Sequence, residues 1–255
     1  MDAQIKKAIK SGNSSAVVLP RSWLNKEVRV ELIKKSSEII LWEVLERLNK
    51  SIRLDDIIGI YLTGSYARGE ESNESDVDIL VLTKETDKEM ISEGIYNILI
   101  VSKALLDYKL KFDLFPMGQM IRESKPLLNS DYIESFEIKV TQKNVNWYIR
   151  TSEDKIKLID LVLKKGLKKI SLNVVYTLVL RIRTLYIIEK IIKNEKYLKK
   201  DFVKLINRVS GNKVAYAGYL KVKKGINGDN VDVIIIKRLQ DYLKKQLKDV
   251  KKIVL

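Results

Sequence analysis

The stretch YLTGSYARGEESNESDVDILVL, residues 61–82, restricts the possible folds more than any other part of the chain. Just before and into it, IIGIYL (57–62) is almost continuously apolar, as expected of a strand buried on both faces. Gly64 and Ser65 follow the strand end at Thr63, and after ten intervening residues come Asp76 and Asp78, separated by Val77. DVDILVL (76–82) reads as a second strand. Residues i and i+2 of a strand share a face, so Asp76 and Asp78 project together while Val77 and Ile79 face the core. Two carboxylates this close are costly unless a cation lies between them.

The composition narrows what that cation and its chemistry can be. The 255 residues include no histidine and no cysteine. Disulfides, thiolate nucleophiles, Cys-ligated zinc, Ser-His-Asp triads and imidazole bases are therefore excluded. A metal here must be held by oxygen, which favours Mg²⁺ or Mn²⁺, and proton transfer must run through carboxylate, Lys, Tyr or water. Gly64 and Ser65 stand where a strand turns into a helix, and there backbone N–H groups can approach a phosphate closely. The GxxxxGK[ST] phosphate loop is absent. Paired aspartates beside a phosphate turn are the equipment of metal-assisted phosphoryl or nucleotidyl transfer.

GSYARGEESNESDVDI resembles the GS–x10–DxD signature of the DNA polymerase beta-like nucleotidyltransferases, especially their small archaeal and bacterial "minimal" members. The resemblance implies an α/β (α+β) domain with a short mixed sheet and transfer of NMP from an NTP to an acceptor hydroxyl. It assigns nucleotide binding to Gly64 and Ser65, with Arg68 either on the triphosphate or paired with Glu70 or Glu71. Asp76 and Asp78 become catalytic metal ligands. The family adds a third carboxylate on the next strand. KLKFDLF (109–115) is read as that strand, which gives Asp113 the metal-binding and catalytic role. On this reading residues 86–107 are mostly helical. The alternative third strand, YNILIV (96–101), would place Asn97 there and imply impaired catalysis.

Charge divides the chain into three parts. Residues 51–140 carry −7, the segment before them +4 and the segment after them +18, within a total of +15. An acidic middle between basic ends fits a metal site flanked by surfaces for polyanions. The expected domains are 1–35, 36–140 and 141–255, with a helix over 38–48 opening the second. In the first, IKSGNSSAVVLPRSWLNKEVRVEL resembles the swapped-hairpin (AbrB-type) DNA-binding family over residues 5–33. Strands are expected at 4–11 and 28–33. About 35 residues bury little surface alone, so this module should pair with a second copy, giving a homodimer. The resemblance implies duplex DNA contacts from Lys7, Lys10, Asn13, Ser14, Ser15 and Arg21, and pairing without DNA binding is the alternative.

From about 141 the pattern is all-helical. Thr151-Ser-Glu-Asp154 looks like a capping box, a long helix is expected over 170–194, and another over 202–209 capped by Asp201. An amphipathic helix ends the chain, and 211–230 reads as a loop. There Tyr216 and Tyr219 alternate with Lys221, Lys223 and Lys224, so they either pack or stack a nucleobase beside phosphate. The most apolar stretch, 170–180, is too short for a membrane span and is followed by Arg181 and Arg183. With no signal-like start, a cytoplasmic protein is expected. Its acceptor could be RNA, protein or a small molecule. The alternative function is a catalytically weak or inactive nucleotide-sensing, antitoxin-like DNA-binding regulator.

Overall fold

The computed structural model describes residues 4, 6, 8–30, 35–72, 75–226 and 230–254. It divides into two compact units, Met1–Ser36 and Ser37–Leu255. In the first unit, β1 (Ile9–Ser11) and β2 (Ser14–Ala16) form an antiparallel hairpin with Lys10 opposite Ser15. Gly12 turns it at φ 57°, and a 3-10 turn at Arg21–Trp23 follows Pro20. The strand expected over 28–33 does not form at 28–30, and residues 31–33 lie outside the described ones. Lys7 also lies outside them.

The second unit opens with α1 (Ser37–Leu48), which buries Ile40, Val44 and Leu48 at helical spacing. β3 (Ile57–Thr63), the short α2 (Gly64–Arg68) and β4 (Val77–Thr83) follow as expected. Next come β5 (Lys88–Glu93), β6 (Tyr96–Ser102) and α3 (Lys103–Phe112). The helix expected over 86–107 is thus a hairpin turning at Gly94, and the strand expected at 109–115 is largely helix. The physical reason lies in β6, where Tyr96, Ile98 and Ile100 alternate inward to fill the sheet core. Ser102 then caps α3 by accepting from the Leu105 N–H at 3.1 Å.

The chain continues through α4 (Met117–Glu123), β7 (Lys125–Leu128) and α5 (Ser130–Glu134). The sheet runs β5-β6-β4-β3-β7, with β4 and β6 parallel and the other neighbours antiparallel. Its central strands bury both faces. Ile60, Leu62, Ile79, Val81 and Ile98 pack with α1, while Tyr61, Leu80, Leu82 and Val101 pack with Leu106, Met117 and Ile121.

The helical part comprises α6 (Gln142–Leu163), β8 (Lys169–Ile170), α7 (Leu172–Ile192), α8 (Lys199–Ser210), α9 (Val214–Lys223), β9 (Val231–Asp232) and α10 (Val233–Val254). It is helical apart from the two-residue pair β8 and β9. The capping box sits at Thr141 and Asn144, ten residues before the expected one, and Thr151 lies inside an unbroken helix. Asp201 lies in the first turn of α8 rather than capping it. The expected loop at 211–230 contains α9, whose Gly218 meets α7: a Cβ there would lie 2.5 Å from Leu172 Cδ2. That glycine serves close helix packing rather than a turn. Among the described residues no helix is long and apolar enough to cross a membrane.

Candidate active site

The sheet register assembles the centre of the site. Thr63 pairs with Asp78 across β3 and β4, and Asp78 pairs with Asn97 across β4 and β6, so the three lie in one row. The chain turns at Gly64 with φ 66°, a conformation costly for a residue with a side chain. A Cβ on Gly64 would lie 2.2 Å from Asp78 Oδ2. Glycine is required because the aspartate carboxylate fills the space a side chain would occupy. Burial raises the Asp78 pKa, as does the nearby Asp76 charge, while the Asn97 amide, which donates to Asp78 Oδ1 at 3.3 Å, acts to lower it.

The N–H of Gly64 already has an internal acceptor. It donates to Glu123 Oε1 at 3.0 Å, and Arg68 Nη1 donates to Glu123 Oε2 at 2.6 Å. Arg68 Nε also donates to Glu70 Oε2 at 2.9 Å. Arg68 is therefore not a surface ion pair: its side chain is 11% exposed and lies between two carboxylates. Burial opposes its charge, but Glu123 and Glu70 outweigh burial and raise its pKa.

Gly64, Ser65, Arg68, Asp76 and Asp78 line a cleft of about 470 Å³. The helical part supplies the opposing wall, with Arg183 from α7, Tyr197, Lys199 from α8, and Tyr216, Tyr219 and Lys223 from α9. Buried Tyr197 has the Arg68 guanidinium 5.5 Å and the Arg183 guanidinium 5.3 Å from its ring centroid. Arg183 Nε donates to Tyr197 Oη at 3.4 Å. Among the described residues no carboxylate lies within ion-pair distance of Arg183. Tyr219 is buried and stacks on Tyr176, with centroids 5.4 Å apart. Burial pushes the Tyr216 pKa up to about 12. These tyrosines are packed and wall the cleft as well.

Asp113 is not brought to this cleft. It caps the C-terminal end of α3, accepts from the Tyr148 hydroxyl, and lies 3.9 Å from Lys109. Asn97 holds the strand position expected for a third carboxylate, because the strand beside β4 is β6; this is the alternative arrangement, for which the resemblance implies impaired catalysis. The cleft residues not singled out from the sequence include Gln119, Glu123, Arg183, Tyr197, Lys199 and Phe202. Arg183 carried one usable signal, shared with Arg181: a cation in the apolar middle of α7. In the first unit, Lys10, Asn13, Ser14, Ser15 and Arg21 are on or near the hairpin and exposed, with Ile9, Val18 and Leu24 also exposed.

Asp76 and Asp78, beside the turn at Gly64, thus face a basic helical wall across one cleft. The profile of the nucleotidyltransferase domain family matches residues 39–254, so this chain belongs to that family. Over 101 residues it is 31% identical to a Methanocaldococcus jannaschii protein named "Putative protein adenylyltransferase", covering 38% of this chain and 96% of the relative. Among solved structures, it is similar to a spectinomycin adenyltransferase from Enterococcus faecialis, determined with ATP and spectinomycin. That match has 15% identity and a TM-score of 0.41, covering 81% of this chain and 99% of the other. A nucleotidyltransferase-like protein from Exiguobacterium sibiricum gives 13% identity and a TM-score of 0.37, covering 84% and 74%.

Proposed function

We propose that the chain transfers NMP from an NTP, ATP among them, to the hydroxyl of an acceptor. The observation that carries this reading is the pairing of Asp76 and Asp78 with a facing wall of Arg183, Lys199 and Lys223 in one cleft. A triphosphate is both a metal ligand and a polyanion, and the two walls match those two properties. Arg183, Lys199 and Lys223 are the candidates for phosphate contacts, since none has a carboxylate ion-pair partner among the described residues. The aromatic wall of Tyr197, Tyr216 and Tyr219 gives a base or ribose an apolar surface.

The donor set suits a divalent cation such as Mg²⁺ or Mn²⁺. Asp76 and Asp78 are hard oxygen ligands, and burial together with the Asp76 charge favours a cation at Asp78. A bound ion would supply charge stabilisation at the phosphates. The chain's own residues hold the rest of the geometry. Gly64 leaves room for the Asp78 carboxylate, Glu123 fixes the turn through the Gly64 N–H, and Arg68 is held in place by Glu70 and Glu123. The acceptor hydroxyl oxygen bonds to the α-phosphorus as the bond to the β-phosphate oxygen breaks; the hydroxyl proton passes to solvent water, and pyrophosphate leaves. Asp113 has no part in this step.

For the first unit we propose pairing with a second copy, with Lys10, Asn13, Ser14, Ser15 and Arg21 offered to duplex DNA. Its support is the resemblance together with the exposed apolar residues, which a lone hairpin leaves to solvent. A salt-dependent gel shift that disappears on deleting residues 1–35 is the expected result. For the second unit, incubation with α-³²P-labelled NTPs, Mg²⁺ or Mn²⁺, and RNA, protein and small-molecule acceptors should give a labelled acceptor. Labelling that survives Asp76→Ala with Asp78→Ala would remove the assignment.

A further inference from the structure

We infer that Asn97 limits the cleft to a single divalent cation, so that the side chains of the helical wall replace a second ion at the phosphates. This rests on the metal-dependent reading above and specifies its stoichiometry. Asn97 lies directly beside Asp78 in the parallel register of β4 and β6. Both ends of its amide are engaged: Nδ2 donates to Asp78 Oδ1 at 3.3 Å, and Oδ1 accepts from Ser92 Oγ at 3.0 Å. The end facing the carboxylate pair is therefore an N–H donor, which repels a cation and cannot ligate one.

Among the described residues, the other acids lining the cleft, Glu70 and Glu123, are committed elsewhere. Glu123 accepts from the Gly64 N–H and from Arg68, and Glu70 also pairs with Arg68. Asp76 and Asp78 remain, and their two negative charges neutralise one divalent ion. A second ion in a two-metal arrangement lies roughly 3.5–4 Å from the first and needs ligands of its own. The charge on the remaining phosphates is instead met by Arg183, Lys199 and Lys223.

The test counts ions directly. Full-length protein, in excess over a non-hydrolysable α,β-methylene NTP, is titrated with Mn²⁺, and the free-ion EPR signal gives the number bound per nucleotide. Wild type should bind one. Asn97→Asp, which removes the amide donor and places a third carboxylate beside Asp78, should bind two. Two ions in wild type, or a folded Asn97→Asp that still binds one, would overturn the inference and leave the metal-dependent reading intact. Wild type that holds the Mn²⁺–NTP complex no more tightly than Asp76→Ala with Asp78→Ala would remove that reading and the inference with it. The wild-type count stands without the variant, and circular dichroism melting reports whether the variant folds.

Discussion

The two walls of the cleft are built in opposite ways. One is a short contiguous piece of chain, in which Gly64, Ser65, Asp76 and Asp78 are placed by two adjacent strands and the turn between them. The other gathers Arg183, Tyr197, Lys199, Tyr216, Tyr219 and Lys223 from three helices and the segment joining two of them. The first wall is acidic and depends on tight backbone geometry. The second is basic and aromatic and depends on how helices pack. The comparison teaches that the strand wall should govern the rate of chemistry, whereas the helical wall should govern how tightly nucleotide is held.

Substitutions should separate those two roles. The largest effect is expected from Asp76→Ala with Asp78→Ala, which should lower NMP transfer at least ~10²-fold, the scale of removing an electrostatic stabiliser. Gly64→Ala comes next. Its Cβ would meet Asp78 Oδ2 at 2.2 Å in a backbone of φ 66°, displacing the carboxylate. A displacement of about 1 Å can cost ~10²-fold in rate. Both should act on kcat, measured by steady-state label transfer. Arg183→Ala should instead weaken NTP binding about tenfold, equivalent to ~1.4 kcal/mol, with a smaller loss in Arg183→Lys. Calorimetric titration with a non-hydrolysable NTP checks this, and equal loss of kcat in all three variants would break the division between the walls.

Two smaller effects sharpen it. With EDTA present, Asp78→Asn should raise the melting temperature at neutral pH. The folded pKa of Asp78 is raised, chiefly by burial, so its charged form is disfavoured in the fold. That stabilising difference should shrink as pH falls through the raised pKa, and vanish below the unfolded value, where both states are protonated. The least effect on transfer belongs to Asp113→Asn. It should leave label transfer within about twofold while lowering stability by ~1 kcal/mol, the scale of a weakened hydrogen bond to Tyr148.

The same contrast explains what was legible in the sequence. The strand wall is encoded locally: apolar runs, a glycine, and acids spaced by two reveal it without tertiary information. β5 and β6 were hidden because Met90, Ile91, Ile95, Ile98 and Leu99 also satisfy a helical period. Only pairing with β4 selects the strand, and the same ambiguity drew attention to Asp113 in place of Asn97. α9 was hidden by Gly218, which reads as loop chemistry until Leu172 of α7 is seen against it. The mid-chain Thr151 imitated a helix start, but its hydroxyl accepts from Arg181 Nη1 at 3.0 Å within a continuous helix. Arg183, Tyr197 and Lys199 become a surface only when α7 and α8 are placed beside the sheet.

The most direct test of the central claim compares α-³²P-labelled and γ-³²P-labelled ATP in parallel reactions with Mg²⁺ and the same acceptor mixture. Nucleotidyl transfer from this cleft should leave label on an acceptor only from the α-position, release pyrophosphate in equal amount, and cease in Asp76→Ala with Asp78→Ala. Acceptor labelling from the γ-position, or α-labelling undiminished in that double variant, would contradict it.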